Sequence, residues 1–187
     1  MIKNRGTGAG GSKTNINGSI LEIKVRSLIS SWVTSKRLIP TKRKYKYEHK
    51  FNIEEVVIKG NTYIRTPETA FPRWKQEFGE ENINTVKPLH GTKWPDDCLI
   101  SNKTINWIEC KCQQTYGSIG EKLQTPRNKI RNLKWRFPNR EINYFYILDH
   151  NFKDLCPQEI SDLDFDSVPY IFDNEQDFEQ KLLNMIK

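Results

Sequence analysis

A chain of 187 residues with five Trp, seven Tyr and nine Phe has enough apolar material for one packed domain, 1–187. It has no run of about 18 apolar residues, so no membrane-spanning helix is expected; its start, MIKNRGTGAGGSKTN, lacks the apolar stretch of a secretory signal, which points to the cytoplasm. The net charge of +7 is uneven: residues 1–50 hold twelve Lys/Arg and two Glu, residues 151–187 three Lys and nine Asp/Glu, a pattern suited to a polyanionic partner.

The glycine-rich segment 1–17 predicts an arm that is flexible or ordered by DNA. From about Asn17 the apolar residues Ile20, Leu21, Val25, Leu28, Ile29, Trp32 and Val33 recur at helical spacing. Asn15, Asn17 or Ser19 can cap this helix, and Pro40 marks its latest end. Residues 42–51, KRKYKYEHKF, alternate as a strand with a basic face. EVVIKGNTYIRT then reads as a hairpin turning at Gly60-Asn61. Residues 66–95 contain four prolines and predict a loop with one short helix, PRWKQEF. Asp97–Ser101 and Ile105–Cys112 form a second hairpin. Ser118–Phe137 is helical in pattern, with a fresh start at Pro126. INYFYILD at 142–149 predicts a strand buried on both faces, and a last helix runs from about Glu175 to Ile186. Trp74, Trp94, Trp107 and Trp135 read as core. Cys98, Cys110, Cys112 and Cys156 read as free thiols, since Cys110-x-Cys112 lacks the second pair a zinc site needs. Strands interleaved with helices give an α/β or α+β sandwich.

The second hairpin, within KWPDDCLISNKTINWIECKCQ, holds charges that a plain core hairpin has no use for. Side chains alternate along a strand, so Trp107, Glu109, Lys111 and Gln113 share one face. Hairpin pairing brings Asp96 beside Glu109. Two adjacent carboxylates repel unless a cation lies between them. Oxygen donors in an open arrangement suit Mg²⁺, and Lys111 can assist a water and stabilise charge developing on a phosphate. The competing reading is a solvated hairpin whose charges do nothing.

Pro95-Asp96 and, after twelve intervening residues, Glu109-Cys110-Lys111 resemble the motif of PD-(D/E)XK nucleases, and within them type II restriction endonucleases. GAGGSKTNINGSILE at 8–22 is similar to the opening of a group of small restriction enzymes. KCQQTYGSIGEKLQT resembles their post-motif segment, through Gln113, Gly117, Ser118, Glu121 and Lys122. The resemblance implies a restriction-endonuclease-like fold, a central mixed β-sheet flanked by helices. The catalytic hairpin and its following helix would lie within 93–137. It further implies that Asp96, Glu109 and the Cys110 carbonyl bind Mg²⁺, with Mn²⁺ as a substitute. Lys111 would assist the attacking water, and Glu22 would bind a second metal or orient a water. Asp97 offers the same chemistry as Asp96 if the register slips by one. For Glu22 the competing reading is an i,i+4 pair with Arg26.

Expected contacts to double-stranded DNA are Lys13, Asn15, Asn17, Lys42, Arg43, Lys44, Lys46, Lys50, Gln113, Ser118, Lys122, Arg127, Lys129 and Arg131. Asn61, Arg65, Arg73 and His90 are candidates for reading bases, His90 reading better as structural. The resemblance also implies a homodimer, a companion methyltransferase in a prokaryotic or viral host, and 5′-phosphate products. Two alternatives stay open: a repair, resolvase or mobile-element nuclease of the same kind, and a DNA-binding protein without catalysis.

Overall fold

The computed structural model describes residues 11–42, 51–78, 94–113 and 123–187, with side chains from Gly18 onward. Helix α1 (Gly11–Ser31) is followed by strands β1 (Val33–Leu38), β2 (Glu54–Ile58) and β3 (Asn61–Arg65), then helix α2 (Ala70–Phe78). Strands β4 (Asp97–Ile100) and β5 (Thr104–Lys111) precede helix α3 (Pro126–Arg136) and strand β6 (Glu141–Leu148). Helices α4 (Phe152–Leu155) and α5 (Pro157–Phe165), strand β7 (Tyr170–Phe172) and helix α6 (Phe178–Met185) complete the order.

Among the described residues, seven strands join one mixed sheet in sequential order. Neighbours from β1 to β5 are antiparallel, and β5, β6 and β7 run parallel. Helices cover both faces. On one, Phe71 and Trp74 of α2, Leu133 of α3, Phe152 of α4 and Leu163 of α5 pack on Cys98, Trp107, Tyr144 and Tyr146. On the other, Leu21, Val25 and Ile29 of α1 and Phe178 and Leu182 of α6 pack on Leu99, Ile108, Phe145 and Ile147. The chain is thus α/β, three layers deep. Strand β6 is buried on both sides, as its unbroken apolar run requires.

Both expected hairpins form. Lys59 and Gly60 take φ of 47° and 77° between paired Ile58 and Asn61, a two-residue turn that needs positive φ twice. In the second, Asp97 pairs with Ile108 and Ile100 with Ile105, which sets Asp96 opposite Glu109.

Three expectations are corrected. Helix α1 begins at Gly11, so Asn15 and Asn17 lie inside it rather than at its cap or in an arm. It ends at Ser31, within the limit set by Pro40, but Val33, counted in its helical spacing, opens a strand instead. Val33–Leu38 leaves as edge strand β1, exposed along most of its length and matched to β2 by Lys36–Glu54 and Arg37–Glu55 pairs. Trp94 and Trp135 are about half exposed, whereas Trp74 and Trp107 are core. The proposed basic strand lies mostly at 43–50, outside the described residues. Among the described residues no helix is long and apolar enough to cross a membrane.

Candidate active site

Asp96 lies just before β4 and Lys111 is the last residue of β5. Both are at the end of the sheet where parallel β5 and β6 finish, an edge where open α/β sheets commonly bind ligands. The alternation of β5 turns Glu109 and Lys111 to the face under α2 and α3, while Cys110 packs among the α1 residues.

Three oxygens converge on one ammonium. Lys111 Nζ lies 2.9 Å from Glu109 Oε2, 3.0 Å from the Cys110 carbonyl and 3.6 Å from Asp96 Oδ2. The Cys110 amide donates to that same Asp96 oxygen at 2.7 Å, locking the two strands together at this point. Glu109 is buried and receives Trp107 Nε1 at 3.2 Å. Lys129 reaches it from α3, with Nζ 2.9 Å from Oε1, 2.8 Å from Oε2 and 3.2 Å from the Tyr144 hydroxyl.

The electrostatics divide the carboxylates. Burial pushes Glu109 up, but the Lys111 and Lys129 ammoniums outweigh it and hold the carboxyl down at about 2. Burial raises Asp96 despite the opposing Lys111 charge. Glu22, on the opposite helical layer, is raised by burial and then by the Asp96 charge. Lys111 is stabilised as a cation: burial alone would lower its pKa, and Glu109 and Asp96 raise it.

Arg26 organises the α1 side. Its guanidinium donates to the Asp96 carbonyl at 3.1 and 3.2 Å, to Glu22 at 3.4 Å and to Glu68. The i,i+4 pair of Glu22 with Arg26 and the proximity of Glu22 to Asp96 therefore coexist. Glu68 carries φ of 38°, an uncommon conformation held in part by its amide donating to the Pro95 carbonyl.

Asp97 is occupied elsewhere. It faces α1 and is buried against Arg65, whose Nη2 lies 2.6 Å from Oδ2. Arg65 also donates to Ser30 Oγ and the Arg26 carbonyl. Of the two adjacent aspartates, only Asp96 stands with Glu109 and Lys111. Arg65 and Arg73 are both buried, which removes them as surface readers of bases; Asn61 is exposed at the start of β3.

The remaining expected DNA contacts scatter. Lys42 is exposed, its backbone amide donating to Glu77. Gln113 is buried just after β5. Arg127 is exposed, pairs with Asp166 and lies over the Phe165 ring. Lys129 is turned inward onto Glu109 rather than outward, a correction that follows from the rotation of α3. Arg131 and Lys134, one turn and two turns after Arg127, line a cavity of about 560 Å³ with Arg127 and Lys187. The side chains of Lys13, Asn15 and Asn17, and all of Arg43, Lys44, Lys46, Lys50, His90, Ser118 and Lys122, lie outside the described residues.

The donor set fits a hard divalent ion. Two carboxylates and a carbonyl supply oxygen only, which is the Mg²⁺ and Mn²⁺ preference, and the point where they meet already accommodates the positive charge of Lys111. A second acidic group, Asp149, His150 and Asp173, gathers at the ends of β6 and β7 with donor atoms within 4.8 Å of one another. Its side chains are engaged: Asp149 accepts from Cys112 Sγ and the Asn151 amide, and Asp173 from the His150 amide. All four cysteines are free and buried.

No family model, no curated protein and no solved structure matches this chain.

Proposed function

We propose that the chain is a Mg²⁺-dependent endonuclease of the PD-(D/E)XK kind, acting on double-stranded DNA as a type II restriction enzyme. One observation carries this reading: Asp96 Oδ2, Glu109 Oε2 and the Cys110 carbonyl converge on Lys111 Nζ at the open end of the sheet. Lys129 answers Glu109 from the other side, yet Asp96, reached only at 3.6 Å by Lys111, keeps a raised pKa that a further cation would relieve.

Asp96, Glu109 and the Cys110 carbonyl would hold Mg²⁺ or Mn²⁺. When bound, the ion supplies Lewis-acid polarisation of the phosphate and lowers the pKa of the attacking water. Lys111 holds positive charge beside the phosphoryl oxygens, where negative charge develops as the bond to the 3′-oxygen breaks. Glu22 orients the water or takes part in a second ion site, positioned by Arg26. Cleavage leaves 5′-phosphates and 3′-hydroxyls. Arg127, Arg131 and Lys134 on α3 offer charge for the phosphate backbone. A two-fold site on DNA is matched by a homodimer. The central mixed sheet flanked by helices supports the restriction-endonuclease-like fold that the sequence resemblance implies.

The test is digestion of unmethylated phage DNA in Mg²⁺ with sequencing of the ends. Discrete fragments with 5′-phosphates at one repeated sequence support the reading. Fragments only from branched or damaged DNA transfer the chain to structure-specific nucleases. Binding without cleavage in Mg²⁺ and Mn²⁺ contradicts a nuclease.

A further inference from the structure

Glu109 is surrounded by more donors than a metal ligand can keep. Its Oε1 takes Trp107 Nε1 and Lys129 Nζ, and its Oε2 takes Lys111 Nζ and Lys129 Nζ. A carboxylate offers about four acceptor positions in all, so these contacts fill it. Any cation that takes Glu109 as a ligand must displace a donor.

The three donors are not equally displaceable. Trp107 and Lys111 stand two residues either side of Glu109 on the same strand, and the Trp107 indole is core. Lys111 is shared with Asp96 and the Cys110 carbonyl. Lys129 comes from a different element, α3, and touches Glu109 but not Asp96 in the contacts above. Its side chain keeps 23% of its exposure against 16% for Lys111. Its ammonium already lies 5.8 and 5.9 Å from the centres of the Tyr144 and Tyr146 rings, which offer a cation a second resting place.

We infer that Lys129 is a resident counter-cation: it occupies Glu109 in the ion-free protein and competes with the divalent ion for that carboxylate. The inference rests on the metal-binding reading of Asp96 and Glu109. Its physical basis is charge. Without an added ion, buried Glu109 beside partly buried Asp96 needs nearby positive charge, and Lys129 supplies it at both oxygens. With a divalent ion in place, the ammonium within hydrogen-bond distance becomes a repulsive neighbour and swings away. Lys129 is therefore a positioning residue whose removal strengthens, rather than weakens, ion binding. An ordinary structural lysine would do the opposite or nothing.

The experiment is calorimetric titration of the full chain with Mn²⁺, without DNA. Wild type is compared with Lys129→Met, Lys129→Gln, Lys129→Arg and Glu109→Gln, each checked for folding by near-ultraviolet circular dichroism. Lys129→Gln keeps an N–H donor for Glu109 and Tyr144 without the charge, and stands in if Lys129→Met does not fold. Removing one nearby charge should tighten Mn²⁺ binding by about tenfold in the Met and Gln variants. Lys129→Arg should restore wild-type affinity, and Glu109→Gln should lose the site. Met and Gln variants that bind Mn²⁺ no more tightly than wild type, while Glu109→Gln abolishes binding, overturn the counter-cation role and leave the metal site standing. Mn²⁺ binding that is absent, or unchanged in Glu109→Gln, overturns both.

Discussion

Arg65 grips Asp97 with Nη2 2.6 Å from Oδ2 while Asp96, one residue earlier, points to the other side of the sheet toward Lys111. Adjacent residues of the same type thus have opposite assignments. Breaking a buried ion pair leaves an uncompensated charge and costs about 3–5 kcal/mol. Asp97→Ala should lose stability of that size in urea unfolding without divalent ions. Asp96→Asn should instead be neutral or stabilising there, because burial raises its pKa and the neutral amide still accepts from the Cys110 amide.

The carboxylates also separate by pH. Glu109 is held at about 2, below its ordinary 4.5, so its ionised form stabilises the fold above that ordinary value and the contribution is lost as pH falls toward 2. Asp96 and Glu22 are raised, so ion-free protein gains stability as the pH falls through their folded values. At neutral pH, Glu109→Gln should cost on the order of 3 kcal/mol in EDTA. The difference from wild type should shrink as acid unfolding is followed from pH 4.5 toward 2.

The first hairpin gives a prediction independent of function. A Cβ at Gly60 would meet nothing within 4 Å, so only its φ of 77° opposes a side chain. Gly60→Ala should cost about 1–2 kcal/mol from left-handed backbone alone. Lys59→Asn, at φ of 47°, should stabilise slightly, since Asn tolerates that region better. Thermal unfolding of the two variants checks both signs.

If the proposed function holds, DNA affinity should depend steeply on salt. Arg131 and Lys134 sit on one side of α3 with Arg127, lining the same cavity. If each contacts one phosphate, replacing either by Ala should flatten the slope of log affinity against log salt by about 1. Fluorescence anisotropy in Ca²⁺ reads this without cleavage. An unchanged slope would remove α3 from the interface.

Much of this was legible in the sequence because it depends on local period. Alternation along Ile105–Lys111 put Glu109 and Lys111 on one face, and the register of the hairpin set Asp96 opposite Glu109. The apolar run of β6 announced its double burial. What local pattern could not supply was rotation and depth. Lys129 read as a surface phosphate contact because a lysine on a basic helix normally is one, and only the seating of α3 on Tyr144 turns it to Glu109. Arg65 was a candidate for reading bases, but Asp97 and Ser30 close around it. Strand β1 was hidden because its side chains are mostly exposed and carry no apolar alternation. The start of α1 was hidden by glycine, which suggests loop wherever it clusters.

The proposed function requires Asp96, Glu109 and Lys111 to act together on a DNA phosphodiester. The direct measurement is the single-turnover cleavage rate of plasmid DNA in Mg²⁺ for wild type, Asp96→Asn and Lys111→Met, with DNA binding measured separately in Ca²⁺. Under the proposed function both variants bind DNA within a few-fold of wild type yet cut at least about a thousandfold more slowly, a loss of roughly 4 kcal/mol in transition-state stabilisation. Either variant cutting at the wild-type rate would contradict it.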